Sequence, residues 1–166
     1  TYNIDMSNKR ILTIHDISCL GQCSLTVALP IISCSNNECV IIPSSILSTH
    51  TAIEGSTFLD LKDQMPKMNK HFIDKGFDFD IIYTGYQGNK EQIDYCLDFF
   101  NTTLKKDGLI IVDPAMADFG KLYKNFDNNF VKEMKRLVDK ADIIIPNISE
   151  ACLLTNNIFT SKIRKD

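Results

Sequence analysis

The stretch LIIVDPAMAD, at residues 109–118, decides the fold that this 166-residue chain is expected to adopt. Its first four residues are apolar and mostly β-branched, which is typical of a strand buried on both faces of a parallel sheet. Asp113 ends this run, and Asp118 follows in the next turn of chain. Ligands of open α/β sheets bind at the carboxyl ends of the strands, so both aspartates are site candidates.

Strand-like and helix-like segments alternate on either side of this stretch. Predicted strands span residues 10–15, 39–42, 79–84, 109–112 and 141–145, and predicted helices span residues 22–34, 61–76, 89–108, 127–138 and 149–154. Residues 44–58 lack helical periodicity and are expected to form an irregular strand or flap. The alternation predicts right-handed crossovers and a mostly parallel α/β sheet with helices on both faces.

Local signals predict where the helices begin and end. The predicted boundary residues are Gly76, Asn89, Gly108, Asp127 and Ser149. Gln92 has the spacing to complete a capping box with Asn89, and Leu104 is expected to face the core from the same helix. Pro30 lies inside the first predicted helix and is expected to bend it.

The composition restricts the classes of function. Hydrophobic residues make up 44% of the chain, enough for the core of one domain over residues 1–166. The formal net charge of −3 gives no electrostatic case for nucleic-acid binding. No stretch approaches the roughly 18 apolar residues of a membrane span, and the polar start has no signal-peptide core. We therefore expect a cytoplasmic protein without nucleic-acid or membrane partners.

Six cysteines are scattered through apolar segments: Cys19, Cys23, Cys34, Cys39, Cys96 and Cys152. The spacing of the first four hints at zinc, but the tight knuckles of a zinc site are absent. Reduced, buried thiols are the favoured interpretation.

Polar residues follow four of the predicted strands. They are His15 and Asp16 after the first, Thr84, Gly85 and Tyr86 after the third, Asp113 after the fourth, and Asn147 and Glu150 after the last. Each residue has a plainer explanation: Asp113 suits a turn before proline, and Glu150 suits the first turn of a helix. Because the strands are parallel, however, all these residues are expected at one edge of the sheet.

Two or three carboxylates at one edge are costly unless a cation shares them. Mg²⁺ takes hard oxygen ligands and normally shares its coordination shell with substrate phosphates. Phosphoryl transfer is therefore the predicted reaction class, since its catalysis is largely positioning and charge neutralisation. The chain has no G-x-x-x-x-G-K-[ST] loop, which argues against a P-loop enzyme.

The segments LIIVDPAMADFGKLY and ADIIIPNISEACLLT resemble the ribokinase-like superfamily, and in particular the vitamin B6 kinases. ILTIHDISCLGQCSLTVALPII, LSTHT and DIIYTGYQGN match the same group in the same order, so the resemblance covers residues 10–155. Hydroxymethylpyrimidine kinases are near relatives. The resemblance implies a ribokinase-like fold and ATP-dependent phosphorylation of the hydroxymethyl group of pyridoxal, pyridoxamine or pyridoxine.

The resemblance also implies roles by position. The ATP phosphates would lie at Asp113, Asp118, Asn147 and Glu150, with Asp113 and Glu150 also at the metal. The substrate ring would be held by Asp16, Leu47, His50, Thr51 and Tyr86. Tyr86 can cover an aromatic ring, and Asp16 and Thr51 can hydrogen-bond its nitrogen and hydroxyl groups. The implied cofactors are ATP and Mg²⁺, with a monovalent cation left open.

Departures from the family pattern leave alternatives open. Ala117 stands where many members have glycine, and His15-Asp16 stands where pyridoxal kinases usually carry Ser-His. Hydroxymethylpyrimidine therefore remains an alternative substrate. A non-catalytic remnant that binds a pyridine-like ligand or pairs with another subunit is a second alternative.

The family motif Gly-x-Gly-Asp, whose aspartate is the catalytic base, does not occur in this sequence. No residue of the chain is therefore assigned as the base, and the sheet is expected to be incomplete at its C-terminal end. Such a sheet would expose an apolar edge, which favours a homodimer.

We expect the purified 166-residue chain to have negligible kinase activity, because no residue is available as the catalytic base. The measurement is phosphate transfer from ATP and Mg²⁺ to pyridoxal or pyridoxamine. Turnover by this polypeptide alone would contradict the expectation.

Overall fold

A six-stranded sheet forms the centre of the computed structural model, which describes residues 8–51 and 53–160. The strands are β1 (Arg10–Ser18), β2 (Glu38–Leu47), β3 (Phe58–Asp60), β4 (Phe79–Thr84), β5 (Leu104–Val112), β6 (Ala117–Asp118), β7 (Lys121–Leu122) and β8 (Ile143–Ile144). The helices are α1 (Leu25–Cys34), α2 (Met65–Lys75), α3 (Lys90–Thr102), α4 (Asn128–Val138) and α5 (Ile148–Thr155). No helix in the described ranges is both long and apolar enough to cross a membrane.

The strands pair in the order β3-β2-β1-β4-β5-β8, and every pair is parallel except β2 with β3. Strands β6 and β7 form a separate antiparallel hairpin. This arrangement confirms the predicted mostly parallel α/β sheet. Because β1, β4, β5 and β8 run in the same direction, the residues that follow them meet at one edge.

Helices cover both faces, as predicted, but unequally. The main core lies between the sheet and α2, α3 and α4, where Leu12, Ile82 and Phe99 are fully buried. Helix α1 packs on the other face, mainly over β1 and β2. Val112 is buried, whereas Leu109 is 43% exposed. The prediction that residues 109–112 are buried on both faces is therefore wrong, because α1 does not extend over β5.

The junction of α3 and β5 differs from the prediction. Helix α3 ends at Thr102, because the Thr103 carbonyl accepts a hydrogen bond from the Phe79 N–H (2.9 Å) and the chain enters the sheet there. Leu104 therefore begins β5 instead of facing the core from a helix. Gly108 lies inside that strand, at an irregular stretch of its pairing with β4, and does not end the helix.

Strands β1 and β2 are both longer than predicted. Strand β1 continues to Ser18, so His15 and Asp16 lie at a bulge within the strand rather than after it. Strand β2 runs through Pro43 to Leu47. Proline is tolerated there because β3 pairs with β2 only beyond it, which leaves Pro43 on an unpaired edge. The described residues that follow Leu47 form turns, consistent with the predicted flap.

Helix boundaries follow the predicted residues in most places. Asn89 and Asp127 cap α3 and α4, and Gly76 ends α2 in the left-handed conformation with φ 68°. Helix α5 is capped by Asn147, so the prediction of Ser149 at this position is wrong. Asn147 is the N-cap because its side chain accepts the Glu150 N–H, while the Glu150 side chain accepts the Asn147 N–H.

Helix α1 begins later than predicted. Ser24 has φ 52°, outside the helical region, so the helix starts at Leu25 and not at residue 22. Pro30 lies inside it, as predicted.

All six cysteines lie in the described part of the chain and are free thiols. Only Cys96 is buried, whereas Cys19 and Cys34 are exposed and the remaining three are partly exposed. The expectation of buried thiols is therefore wrong for five of them, because four lie in loops or on the thinly covered α1 face and Cys152 lies on the partly exposed helix α5.

Two leucines of the sheet differ so much in burial that their replacement by alanine should lower stability by very different amounts. Leu12 on β1 is fully buried, so Leu12→Ala should lower the free energy of unfolding by about 2–5 kcal/mol through lost burial and a cavity. Leu59 on β3 is 58% exposed, and the same substitution there should cost well under half as much. Urea denaturation of both variants measures the difference, and equal losses would contradict this account of the core.

Candidate active site

The first part of the site lies where β1, β2 and β4 end. His15 and Asp16 are both buried. One Asp16 carboxylate oxygen accepts a hydrogen bond from the Ser18 hydroxyl (3.1 Å), while the other is buried without a partner. Tyr86, in the turn after β4, is half-buried close by. Burial, together with the charges of Asp16 and Asp60, raises the pKa of Tyr86 to about 12.

Six buried polar side-chain atoms of the described residues have no hydrogen-bond partner. They are His15 Nε2, Asp16 Oδ1, Ser45 Oγ, Thr49 Oγ1, Thr84 Oγ1 and Gln87 Oε1. All six belong to β1, β2, β4 or the residues just after these strands. A buried polar atom left unpaired costs about 1–3 kcal/mol, so such atoms are rare in folded proteins. Atoms of this kind at the ends of these strands indicate places for a polar ligand or ordered water.

The loops after β1 and β2 are joined beside these atoms. The Cys19 N–H donates to the Leu47 carbonyl (2.9 Å), and the His50 N–H donates to the Leu20 carbonyl (3.3 Å). A Cβ at Gly21 would lie 2.5 Å from Cδ2 of His50, so this position needs glycine for the imidazole to pack there. The loop after β1 and the flap after β2 are thus joined by backbone hydrogen bonds beside β1.

The predicted flap residues are not equally placed. Leu47 is buried at the end of β2, and His50 packs on the loop after β1. Thr51 follows His50 on the flap, and its side chain is exposed.

Gln92 fixes the turn that carries Tyr86. Its side-chain oxygen accepts a hydrogen bond from the Gly88 N–H (2.7 Å). In a complete capping box this oxygen would instead accept the N–H of Asn89, the N-cap residue. Its amide donates to the Ser44 carbonyl and to Asp60 (2.8 Å each). The Ser44 hydroxyl in turn donates to the Tyr86 carbonyl (3.0 Å). The turn after β4 is therefore attached to β2 by the Ser44 hydroxyl, and to both β2 and β3 through the Gln92 side chain.

The second part of the site lies between the β6–β7 hairpin and the start of α5. Glu150 is buried, and its two carboxylate oxygens accept the N–H groups of Met116 (3.1 Å) and Asn147 (2.9 Å). The Asn147 amide donates to the Ala117 carbonyl (2.7 Å) and to Asp118 (3.2 Å). Three of the four predicted phosphate-side residues are thus joined by hydrogen bonds. The plainer interpretation of Asn147 and Glu150 as a helix start also holds, because they form the capping box of α5.

Asp113 lies at the end of β5, between the two parts of the site. Its N–H donates to the Thr84 carbonyl (2.8 Å), the last bond that joins the β4 and β5 backbones. Burial and the charge of Glu150 raise the pKa of Asp113 to about 7. The pKa of Glu150 is also raised, chiefly by burial. The ionised forms of the two carboxyl groups disfavour each other, and a cation between them would relieve this.

The donor set suits Mg²⁺ with retained waters. Within residues 8–51 and 53–160, no three Asp, Glu, His or Cys side chains form a ready-made metal site. Both Glu150 oxygens are already engaged by backbone N–H groups, which fits contact through water better than direct ligation. Mg²⁺ commonly binds through one or two carboxylates and keeps several waters, so Asp113 and Glu150 fit this mode.

Solved structures share this fold and sequence. A protein from Bacteroides thetaiotaomicron, provisionally named a phosphomethylpyrimidine kinase and solved with pyridoxal, is 41% identical, with a TM-score of 0.90. The match covers 95% of this chain and 55% of that protein. Pyridoxal kinase from Lactobacillus plantarum is 32% identical, with a TM-score of 0.86 over 94% of this chain and 56% of the relative. The chain has the ribokinase-like fold of these relatives.

More distant ribokinase-like proteins share the fold alone. Pyridoxal kinase from Leishmania donovani, solved with ADP, is 21% identical, with a TM-score of 0.77 over 90% of this chain and 53% of that one. The chain spans about half the length of these relatives. No protein-family model and no curated protein sequence matches it.

One feature of this site was missed from sequence. The Tyr86 ring stacks on Phe126 (centroids 5.6 Å apart), and Phe126 stacks on Phe130 (3.8 Å). We call Tyr86, Phe126 and Phe130 the aromatic ladder. The available signal was that Phe126 directly precedes the N-cap Asp127, a position whose apolar side chain often packs on the helix. Nothing local indicated that Tyr86 would join it.

The raised pKa of Asp113 predicts a pH-dependent effect of its replacement. Above about pH 7 the carboxyl is ionised at a cost to the folded state, so Asp113→Asn should raise the free energy of unfolding there. The gain should shrink as the pH falls from about 7 to the ordinary pKa of 3.8, and vanish below it, where the group is protonated in both states. Urea denaturation near pH 8 and pH 3.5 measures it.

The control is Asp107→Asn, because Asp107 is an exposed strand residue outside the site. It should change stability little at either pH. A stabilisation by Asp113→Asn that is equal at both pH values, or absent at pH 8, would contradict the electrostatic account of this site.

Proposed function

We propose that this chain provides the substrate-binding and phosphate-binding residues of an ATP-dependent kinase that phosphorylates the hydroxymethyl group of pyridoxal, pyridoxamine or pyridoxine. The observation that carries the proposal is the group of unpartnered buried polar atoms at the ends of β1, β2 and β4, beside Tyr86. A substituted pyridine offers what this region lacks: a flat ring, a ring nitrogen and hydroxyl groups. The Bacteroides relative, solved with pyridoxal, supports this choice.

The residues divide the recognition of such a ring among them. The unpaired oxygen of Asp16 can accept a hydrogen bond from a ring hydroxyl or a protonated ring nitrogen. Tyr86 can cover the ring face. Leu47 and His50 would bound the pocket from the flap side. Thr51 stays a prediction, since its side chain is exposed.

The phosphates of ATP would lie at the second part of the site, near Asp113, Asp118, Asn147 and Glu150. Mg²⁺ held by Asp113 directly and by Glu150 through water would offset the charge of the phosphates and of the two carboxyl groups. A monovalent cation remains open. No residue of this chain is assigned as the base that accepts the hydroxymethyl proton.

A homodimer and a cytoplasmic location also stay predictions. The α1 face exposes apolar side chains, among them Ile31, Leu109, Ile143 and Ile145. Exposed apolar side chains on one face favour association with another polypeptide.

Hydroxymethylpyrimidine is the second candidate substrate. The name of the Bacteroides relative favours it, and a pyrimidine ring can also stack on Tyr86. A ligand-binding chain without catalysis is a further alternative, consistent with the lack of an assigned base. Direct competition between the two rings separates the substrate hypotheses.

Calorimetric titration of the purified chain with pyridoxine tests the proposal. Pyridoxine is preferred to pyridoxal because it has no aldehyde to react with lysine. We expect saturable binding that weakens by about tenfold or more in Asp16→Ala and in Tyr86→Ala, the loss of one good polar or aromatic contact. Asp107→Ala, at an exposed position, is the control and should bind normally.

Each other outcome has a distinct meaning. If pyridoxine does not bind, or if the two site variants bind it normally, the proposed pocket is wrong. If hydroxymethylpyrimidine displaces pyridoxine at much lower concentration than pyridoxine itself requires, the second candidate substrate replaces the first.

A further inference from the structure

We propose that Phe126 is a positioning residue of the pyridine site: it holds the Tyr86 ring in the orientation that covers the substrate. The inference rests on the proposed function, because it takes Tyr86 as the residue that contacts the ring. Phe126 itself need not touch the substrate. Its effect on binding would pass through Tyr86.

The aromatic ladder connects the site to the core. Phe130, in the first turn of α4, is 8% exposed and belongs to the main hydrophobic core. Phe126 stacks on it almost in parallel, with 6° between the ring planes. Tyr86 stacks on Phe126 with 29° between the planes. A ring fixed in the core therefore fixes a second ring, which in turn contacts the ring at the site.

The contact with Phe126 helps to determine the rotamer of the Tyr86 side chain. Tyr86 is half-buried and lies between Gly85 and Gln87, in the turn after β4. The Ser44 hydroxyl holds its backbone carbonyl but not its ring. A tyrosine side chain has several staggered positions at χ1, and ordering it on ligand binding would cost affinity. Stacking on Phe126 before the ligand arrives removes part of that cost.

The backbone at Phe126 is itself held from the phosphate side of the site. Its N–H donates to the Tyr123 carbonyl (3.0 Å), and the Tyr123 hydroxyl donates to Asp118 (3.2 Å). Tyr123 in turn is attached to the strand region by its N–H, which donates to the Met116 carbonyl (2.9 Å). Phe126 thus lies in a turn fixed at both ends, and its ring has little freedom to follow Tyr86 elsewhere.

The test is pyridoxine binding by Phe126→Leu, which keeps an apolar side chain but removes the stack. We expect binding about tenfold weaker than that of the unchanged chain, the upper range for one aromatic pair. Phe126→Tyr retains the stack and should bind within about twofold of the unchanged chain. Phe126→Met, which fills the volume without a ring, takes the place of the leucine variant if that variant does not fold.

Phe72→Leu is the matched control. Phe72 is also half-buried and also forms an aromatic pair, with Phe79 at 5.5 Å, but it lies on α2 away from Tyr86. This substitution should lower stability to a similar extent and leave pyridoxine affinity unchanged. The chain has no Trp and five Tyr, so near-ultraviolet circular dichroism reports tyrosine packing directly. Phe126→Leu should change that signal before any ligand is added.

A second background shows whether Phe126 acts through Tyr86. In a Tyr86→Leu chain, adding Phe126→Leu should weaken binding no further, because the ring to be positioned is absent. Normal affinity in Phe126→Leu, or an undiminished effect in the Tyr86→Leu background, would overturn the inference while leaving the proposed function intact. Absence of pyridoxine binding by the unchanged chain would instead reject the proposed function, and the positioning role with it.

Discussion

The parallel pairing of β1, β4 and β5 is the constraint on which the rest of the structure depends. Its last backbone bonds, from Gly85 to Ile14 (3.0 Å) and from Asp113 to Thr84 (2.8 Å), set the level at which β4 and β5 end beside the bulge of β1. Asp16, Tyr86 and Asp113 therefore reach the same edge without any direct bond between their side chains. A register error in either pair would separate them, because neighbouring strand residues point to opposite faces.

The phosphate side of the site shows how one residue can serve structure and chemistry together. Glu150 closes the first turn of α5 and also binds the Met116 N–H across the sheet edge. A helix that only needed a cap would not need the second bond. That bond attaches α5 to the segment after β5, and it leaves two carboxyl groups, Asp113 and Glu150, close enough to raise each other's cost of ionisation. Such pairs are typical of functional sites.

The sequence was sufficient to predict the parts of the fold that depend on local pattern. Alternating strands and helices gave the parallel sheet, and polar residues after each strand gave the meeting of Asp113, Asp118, Asn147 and Glu150. The failures depend on distant partners. Leu104 enters a strand because the neighbouring Thr103 pairs with Phe79, and β2 passes Pro43 because β3 pairs only beyond it. The Tyr86–Phe126 stack likewise joins residues far apart in the chain, so no periodicity could reveal it.

The unpartnered polar atoms at and near Asp16 lower the stability of the fold at the place where a ligand is expected to bind. A buried polar atom without a partner costs about 1–3 kcal/mol, which is substantial for a domain whose net stability is typically about 5–15 kcal/mol. Ordered water can relieve part of this cost, but only a ligand that fills the space with matching donors and acceptors relieves it while also excluding water. The main core, by contrast, is built from apolar side chains such as Leu12, Ile82 and Phe99, which carry no such cost. The fold therefore gives up stability where the ligand is expected to bind, and a bound ring would return some of it.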